Sequence, residues 1–153
     1  MKIIDALSRE LILSNLTAKN KVDCLMEFAQ VLANAHPELK KDEIAHVLLE
    51  REKLGSTGIQ DGVAIPHGKI KDLGNIIILF GRSLEGLDFQ AHDNNPTHLF
   101  FVLLAPEEAT STHLKLLARL SKLLKNIDLR AKLMQAKDSE AIYKILSEED
   151  EKL

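Results

Sequence analysis

Apolar residues recur at helical spacing in the first third of the chain. Thr17 or Asn20 can cap a helix that runs to Ala35, and Asp42 can cap a second helix that runs to about Lys53. The residues predicted to face the core are Val22, Leu25, Met26, Ala29, Leu32 and Ala33 in the first helix, and Ile44, Ala45, Val47 and Leu48 in the second.

The last third of the chain repeats this helical spacing. A long helix is predicted after Thr112, a short helix from Asp128 to Gln135, and a final helix that Asp138 opens. Their inward stripes are predicted to be Leu114, Leu117, Leu120, Leu123 and Leu124 in the long helix, and Ile142, Ile145 and Leu146 in the final one.

Between the helical parts the pattern changes to continuous apolar runs. The runs at residues 75–81 and 97–105 predict strands that are covered on both faces, and Pro106 stops the second. The shorter predicted features are a helical turn followed by a strand near residues 11–13, a strand at 63–65, a polar connector at 69–74, and a short strand or edge segment at 87–89. Helices interleaved with buried strands predict an α/β (α+β) single domain over residues 1–153, with a central sheet between helical layers.

Composition narrows the class of protein. The chain has 153 residues, of which 45% are apolar and 28% are charged, as expected for a globular protein. The net charge of −3 is too small to indicate nucleic-acid binding. No apolar run approaches the roughly 20 residues of a membrane span, and an early acid at Asp5 does not suit a signal peptide. With Cys24 as the single cysteine, an internal disulfide is excluded, and these features predict a cytoplasmic protein without membrane insertion.

The segment Arg51–Gly68, with the sequence REKLGSTGIQDGVAIPHG, carries the candidate chemistry. Pro66 restricts Ile65 to extended conformations, and Gly68 has no Cβ beside the imidazole of His67. His67 is therefore predicted to lie at the end of a rigid extended segment, open to an approaching group. On physical grounds alone, a turn histidine is the alternative to a reactive one.

The REKLGSTG and GVAIPHG stretches of this segment resemble the phosphorylation-site motif of the fructose/mannitol type of enzyme IIA, a phosphocarrier domain of the bacterial phosphoenolpyruvate-dependent phosphotransferase system. Within that family the motif looks most like that of the nitrogen-regulatory enzyme IIA. The resemblance implies a mixed sheet flanked by helices on both sides. It also implies an HPr-like phosphocarrier (NPr) as donor, no cofactor, and regulated targets such as potassium-transport or sensor-kinase components.

The resemblance assigns roles to two histidines, and the chemistry of four further residues makes them candidates for the site. His67 is expected to accept the phosphoryl group at Nε2, and His113 is expected to donate a hydrogen bond to that group. Arg51 offers a fixed charge with the forked donor geometry that suits phosphate. The loop residues expected to supply further phosphate donors are Ser56, Thr57 and Gly58. Related proteins often carry Gly-Asn where this chain has Gln60-Asp61, which adds a negative charge near the site.

Other functions remain as alternatives. A sugar-transport enzyme IIA, passing phosphate to a IIB domain for fructose or mannitol, would use the same chemistry. A binding module of the same fold without catalysis is a third hypothesis, against which the paired His67 and His113 argue. The chain has no His-x-x-x-His spacing or cysteine cluster for zinc, no Gly-x-Ser-x-Gly hydrolase motif and no glycine-rich nucleotide loop.

Overall fold

Six helices and five strands make up the protein, and the computed structural model describes residues 1–153. The helices are α1 (Ile3–Ala6), α2 (Lys21–Ala35), α3 (Lys41–Lys53), α4 (Thr110–Leu124), α5 (Ile127–Gln135) and α6 (Ser139–Glu151). The strands are β1 (Leu7–Leu13), β2 (Val63–Ala64), β3 (His67–Ile70), β4 (Ile77–Leu87) and β5 (Thr97–Pro106).

The five strands form one mixed sheet. Its order is β1-β4-β5-β2, and β3 also pairs with β5. The β4–β5 pair is antiparallel, whereas the pairs β1–β4, β2–β5 and β3–β5 are parallel. The predicted mixed sheet of an α/β protein is therefore confirmed.

Alternate residues of the two central strands face opposite sides of the sheet. Ile78 and Phe80 of β4 belong to one cluster of 20 buried residues, which also takes in apolar residues of α4, α5 and α6. Ile77 and Leu79 belong to a second cluster of 20, which takes in residues of α2 and α3. Both faces of the sheet are thus covered by helices, which explains why β4 and β5 each contain an unbroken apolar run.

Several predicted boundaries and faces are wrong in detail. Asn20, not Thr17, caps α2 by accepting a hydrogen bond from the N–H of Asp23. The N-cap of α3 is Lys40, without a side-chain cap, and Asp42 lies in the first turn. The remaining boundary differences are an earlier start of α4 at Thr110, a start of α5 at Ile127, and an extension of β4 to Leu87 where a separate segment was predicted.

Two predicted core positions face solvent. Val22 is 55% exposed and Leu114 is 61% exposed. In α4 the buried face instead passes through His113 and Leu116, three residues apart, so that Leu114 points about 100° away from His113 and about 160° away from Leu116.

The predicted polar connector after His67 is partly a strand. His67–Ile70 pairs with Leu103–Pro106 of β5, so His67 begins β3 and does not end the preceding strand. Pro66 has no N–H to donate and separates β2 from β3, while its carbonyl accepts a hydrogen bond from the N–H of Leu103. Such a proline is tolerated because this chain lies at the edge of the sheet.

Candidate active site

His67 is held by the backbone that leads into β3. Its Nδ1 lies 2.7 Å from the carbonyl oxygen of Ile65. Because a carbonyl can only accept a hydrogen bond, Nδ1 carries the proton, and the Nε2 of a neutral ring is left with a free lone pair. The half-buried imidazole is thereby oriented with its nucleophilic nitrogen away from the backbone.

Arg51 approaches the same ring from the last turn of α3. Its Nε donates to His67 Nε2 over 3.3 Å, and its Nη1 donates to the carbonyl of Gly55 over 3.0 Å. The first contact requires an acceptor at Nε2, which agrees with the tautomer set by Ile65. One guanidinium thus contacts both the acceptor nitrogen and the loop after α3.

His113 reaches the site from the first turn of α4. The centroids of the His67 and His113 rings are 5.5 Å apart, and the rings meet edge to face at 78°. His113 is only 5% exposed, and its Nε2 is buried without a hydrogen-bond partner. A buried polar atom without a partner is costly, so His113 Nε2 is a candidate for hydrogen bonding to a group bound in the cleft.

The pKa of both histidines is lowered from the usual 6.5, which favours the neutral ring at pH 7. Burial has the largest effect and lowers the pKa of His67; the Ile65 hydrogen bond, next in size, raises it, and the smaller effects of the Arg51 and Glu52 charges lower and raise it respectively. Burial also lowers the pKa of His113, helped by the charges of His67 and Lys69. The lone pair at His67 Nε2 is therefore available at neutral pH.

The three side chains line one cleft of about 500 Å³. Lys69 adds a second cation to it, and Lys69 Nζ donates to the hydroxyl of Thr110 over 2.7 Å. Leu54, which is 84% exposed, stands at the cleft as an apolar residue open to solvent. The cleft thus combines the His67 nucleophile with the cations of Arg51 and Lys69, which suit a phosphoryl group, and with one carboxylate, Glu50, which is paired with Lys53 at 2.8 Å.

The loop predicted to cradle phosphate occupies a different position. Thr57 is buried and donates both its N–H and its hydroxyl to the carboxylate of Glu52. The Ser56 hydroxyl donates to the Phe89 carbonyl over 3.0 Å and accepts from the N–H of Gly58 over 3.0 Å. None of the three lines the cleft at His67, and their phosphate role stays a prediction.

Sequence reasoning missed two contributors to this region. Lys69 follows His67-Gly68 directly, but no local pattern indicates a strand there, and only the pairing with β5 places Lys69 beside the acceptor. Glu52 stands next to Arg51 in the last turn of α3, where a carboxylate usually faces solvent. Only the approach of Lys21 and Thr57 reveals that Glu52 is buried.

The family is decided by a match along nearly the whole chain. Residues 5–149 match the family model described as "Phosphoenolpyruvate-dependent sugar phosphotransferase system, EIIA 2". The chain belongs to this enzyme IIA family. The resemblance predicted from Arg51–Gly68 is therefore confirmed.

Individual relatives agree with this assignment. The chain is 42% identical over 147 residues to a nitrogen regulatory protein of Bradyrhizobium diazoefficiens, covering 96% of this chain and 95% of that protein. It is 38% identical over 150 residues to the fructose-specific EIIABC component of Bacillus subtilis, covering 98% of this chain but 24% of that longer protein. The crystal structure of the nitrogen regulatory protein IIA-Ntr from Neisseria meningitidis superposes with a TM-score of 0.87 at 33% identity, covering 94% of this chain and 98% of that one.

Two further observations describe the rest of the molecule. The structure gathers no group of three or more His, Cys, Asp or Glu side chains that could hold a metal ion. None of its helices is both long and apolar enough to span a membrane.

Proposed function

We propose that this protein is a phosphocarrier of the nitrogen-type phosphotransferase system, and that His67 Nε2 accepts a phosphoryl group from a phosphohistidine on an HPr-like carrier (NPr). The observation that carries the proposal is the hydrogen bond from His67 Nδ1 to the Ile65 carbonyl. It leaves Nε2 as the unprotonated nitrogen of a neutral ring, in a cleft that also holds Arg51 and His113.

The transfer needs no cofactor. The lone pair of His67 Nε2 attacks phosphorus, the P–N bond of the donor breaks, and its electron pair returns to the donor imidazole. The proton on Nδ1 stays in place against the Ile65 carbonyl, which stabilises the cationic ring of the product. Arg51 Nε–H turns from Nε2 to a phosphoryl oxygen, and His113 Nε2 donates to another, so that the orphaned nitrogen gains its partner.

In this proposal the phosphoryl group is also a signal. It adds up to about two negative charges to a cleft that holds the cations Arg51 and Lys69 and one carboxylate, Glu50. A partner that binds the cationic cleft is then repelled, and a partner with its own cations is recruited. We therefore infer that the protein acts mainly as a cytoplasmic regulator, with targets such as potassium-transport or sensor-kinase components.

The test is phosphorylation by a phosphorylated HPr-type carrier, followed on a charge-sensitive gel. Wild type is expected to gain an acid-labile shift, and His67→Ala is expected to lose it. His36→Ala is the matched control, because His36 lies at the end of α2, outside the cleft, and should leave the shift intact. A labelled His67→Ala protein, or an unlabelled wild type, contradicts the proposal.

A second candidate is a fructose-type enzyme IIA that passes the phosphoryl group to a IIB domain. The 38% identity to the fructose-specific component of Bacillus subtilis favours it. Incubation of the phosphorylated protein with a purified fructose-type IIB separates the two. Rapid and complete transfer to IIB supports sugar transport, whereas retention of the label supports regulation.

A further inference from the structure

Glu52 is a buried carboxylate that follows Arg51 in α3, and its partners are Lys21 and Thr57. The residue is 9% exposed. Its carboxylate accepts from Lys21 Nζ at 2.7 Å, from the N–H of Thr57 at 3.1 Å, and from the Thr57 hydroxyl. Burying a carboxylate is unfavourable unless it is paired and hydrogen-bonded, and here three donors meet that requirement.

The cluster is connected to the acceptor by a short series of hydrogen bonds. The Thr57 carbonyl accepts from the N–H of Ile65 over 3.1 Å. The Ile65 carbonyl then accepts from His67 Nδ1 over 2.7 Å. Only one residue, Ile65, therefore separates the Thr57 backbone from the imidazole.

The same loop is also held from the cleft side. Arg51 precedes Glu52 in α3, and it contacts both the Gly55 carbonyl and His67 Nε2. Two neighbouring helical residues thus grip the loop at Gly55 and at Thr57. Movement of the loop would displace the guanidinium and the carbonyl of Ile65 together.

We propose that Glu52 is a positioning residue for phosphoryl transfer, which holds the Arg51 guanidinium and the His67 ring in register by tying Thr57 to the end of α3. The inference rests on the proposed acceptor role of His67. Lys21 completes the cluster from the start of α2, where its ammonium group also lies 4.8 Å from the centre of the Phe89 ring.

Thr57→Val tests the geometry without changing the charge. Valine keeps the backbone N–H and the side-chain shape but removes the hydroxyl that donates to Glu52. We expect the transfer rate at saturating carrier to fall at least about tenfold, because small misplacements at a reacting centre are costly. The carrier concentration at half-maximal rate should stay unchanged, and Thr57→Ser should restore the rate to within about twofold. Glu52→Ala, as the second variant, should show a larger loss than Thr57→Val.

Nitrogen NMR measures the tautomer of the His67 ring, and so reports on its positioning without the carrier. Wild type should show the Nδ1-protonated form, and Thr57→Val should show a mixture of the two tautomers, because the Ile65 carbonyl is no longer held in place. This measurement separates the inference from the proposed function. A wild type that takes up no phosphoryl group refutes the acceptor role, whereas an altered ring in Thr57→Val still supports positioning.

Asp150→Asn is the matched control for a purely structural effect. Asp150 is buried as well and accepts from Arg119 Nε at 2.8 Å and from the N–H of Ile4 at 3.0 Å, away from the cleft. It should lower the melting temperature and leave the rate and the His67 tautomer unchanged. A Thr57→Val protein with the rate and tautomer of wild type overturns the proposal, and so does an Asp150→Asn protein that loses as much rate.

Discussion

Replacing Gly68 by alanine should separate the acceptor strand from α3. A Cβ at Gly68 would lie 2.2 Å from Val47 Cγ1. Carbon atoms pack at about 3.5 Å or more, so the overlap is at least about 1.3 Å, and the stiff valine side chain has little freedom to turn away within a helix. β3 and α3 must therefore move apart, and they carry His67 and Arg51.

The expected cost is about 1–3 kcal/mol of unfolding free energy, the usual range for overpacking. For a chain of this size each kcal/mol lowers the melting temperature by about 2–4 °C. A displacement near 1 Å at the reacting nitrogen should also slow phosphoryl transfer about a hundredfold. Thermal unfolding by circular dichroism and single-turnover transfer from a phosphorylated carrier measure the two effects.

Two further variants test whether the overlap with Val47 is the cause of these effects. In the double variant Gly68→Ala/Val47→Ala, the nearest remaining atoms are Val47 Cβ and the Val47 carbonyl oxygen, both at 3.7 Å and both retained by alanine, so stability and rate should recover. Gly74→Ala should change neither, because nothing lies within 4 Å of its Cβ. A Gly68→Ala protein that melts and reacts like wild type would refute the reasoning, as would a double variant no better than the single one.

Three other predictions follow from the cleft and the core. Arg51→Lys keeps the charge but cannot contact both His67 and the Gly55 carbonyl. Phosphoryl transfer should therefore slow about tenfold, the equivalent of one charge-assisted hydrogen bond. A rate within twofold of wild type would contradict this. Burial lowers the pKa of His67 and His113 below the usual 6.5, so the unfolded chain binds more protons than the folded one just below pH 6.5, and the free energy of unfolding should fall on acidification through that window. Urea unfolding at pH 7 and pH 5 should show a smaller loss of stability for the double variant His67→Gln/His113→Gln than for wild type. Equal losses would disprove the prediction. Burial raises the pKa of the Cys24 thiol, and Cys24 is fully buried, so a disulfide reagent should label it only along the unfolding transition; rapid labelling of the native protein would argue against this packing.

The central strands and helices could be predicted because the spacing of their apolar residues along the chain indicates which faces are buried. β4 and β5 each contain an unbroken apolar run, since helices cover both faces of the sheet. β3 was not predicted, because its four residues, His67–Ile70, lie at the sheet edge and show no strand pattern of their own. Only pairing with Leu103–Pro106 makes that segment a strand.

The phase of α4 was misjudged for a related reason. His113 was interpreted as a site residue and Leu114 as a core residue, whereas the structure buries His113 together with Leu116 and exposes Leu114. A histidine that lies in the core face and also lines a cleft fits neither a polar nor an apolar pattern.

The candidate site was predictable where its residues share one motif. Arg51 and His67 are 16 residues apart, and the segment between them could be interpreted as a unit. Only the resemblance pointed to His113, which comes from another helix, and no local pattern brings its ring to 5.5 Å from that of His67. Glu52 gave no signal, because its burial depends on Lys21 from α2 and on the fold of the following loop.

The parallel pairing of β3 with β5 limits how a phosphoryl group at His67 could be sensed. The backbone of His67 is fixed opposite Leu103 in a sheet that is packed from both sides, so it offers no hinge to swing. Phosphorylation of the imidazole would then change the shape and charge of a rigid surface patch around His67, with little change of structure elsewhere. A protein that distinguishes the phosphorylated from the free form must therefore contact this patch directly. Two such partners would overlap there, so they could not bind at the same time.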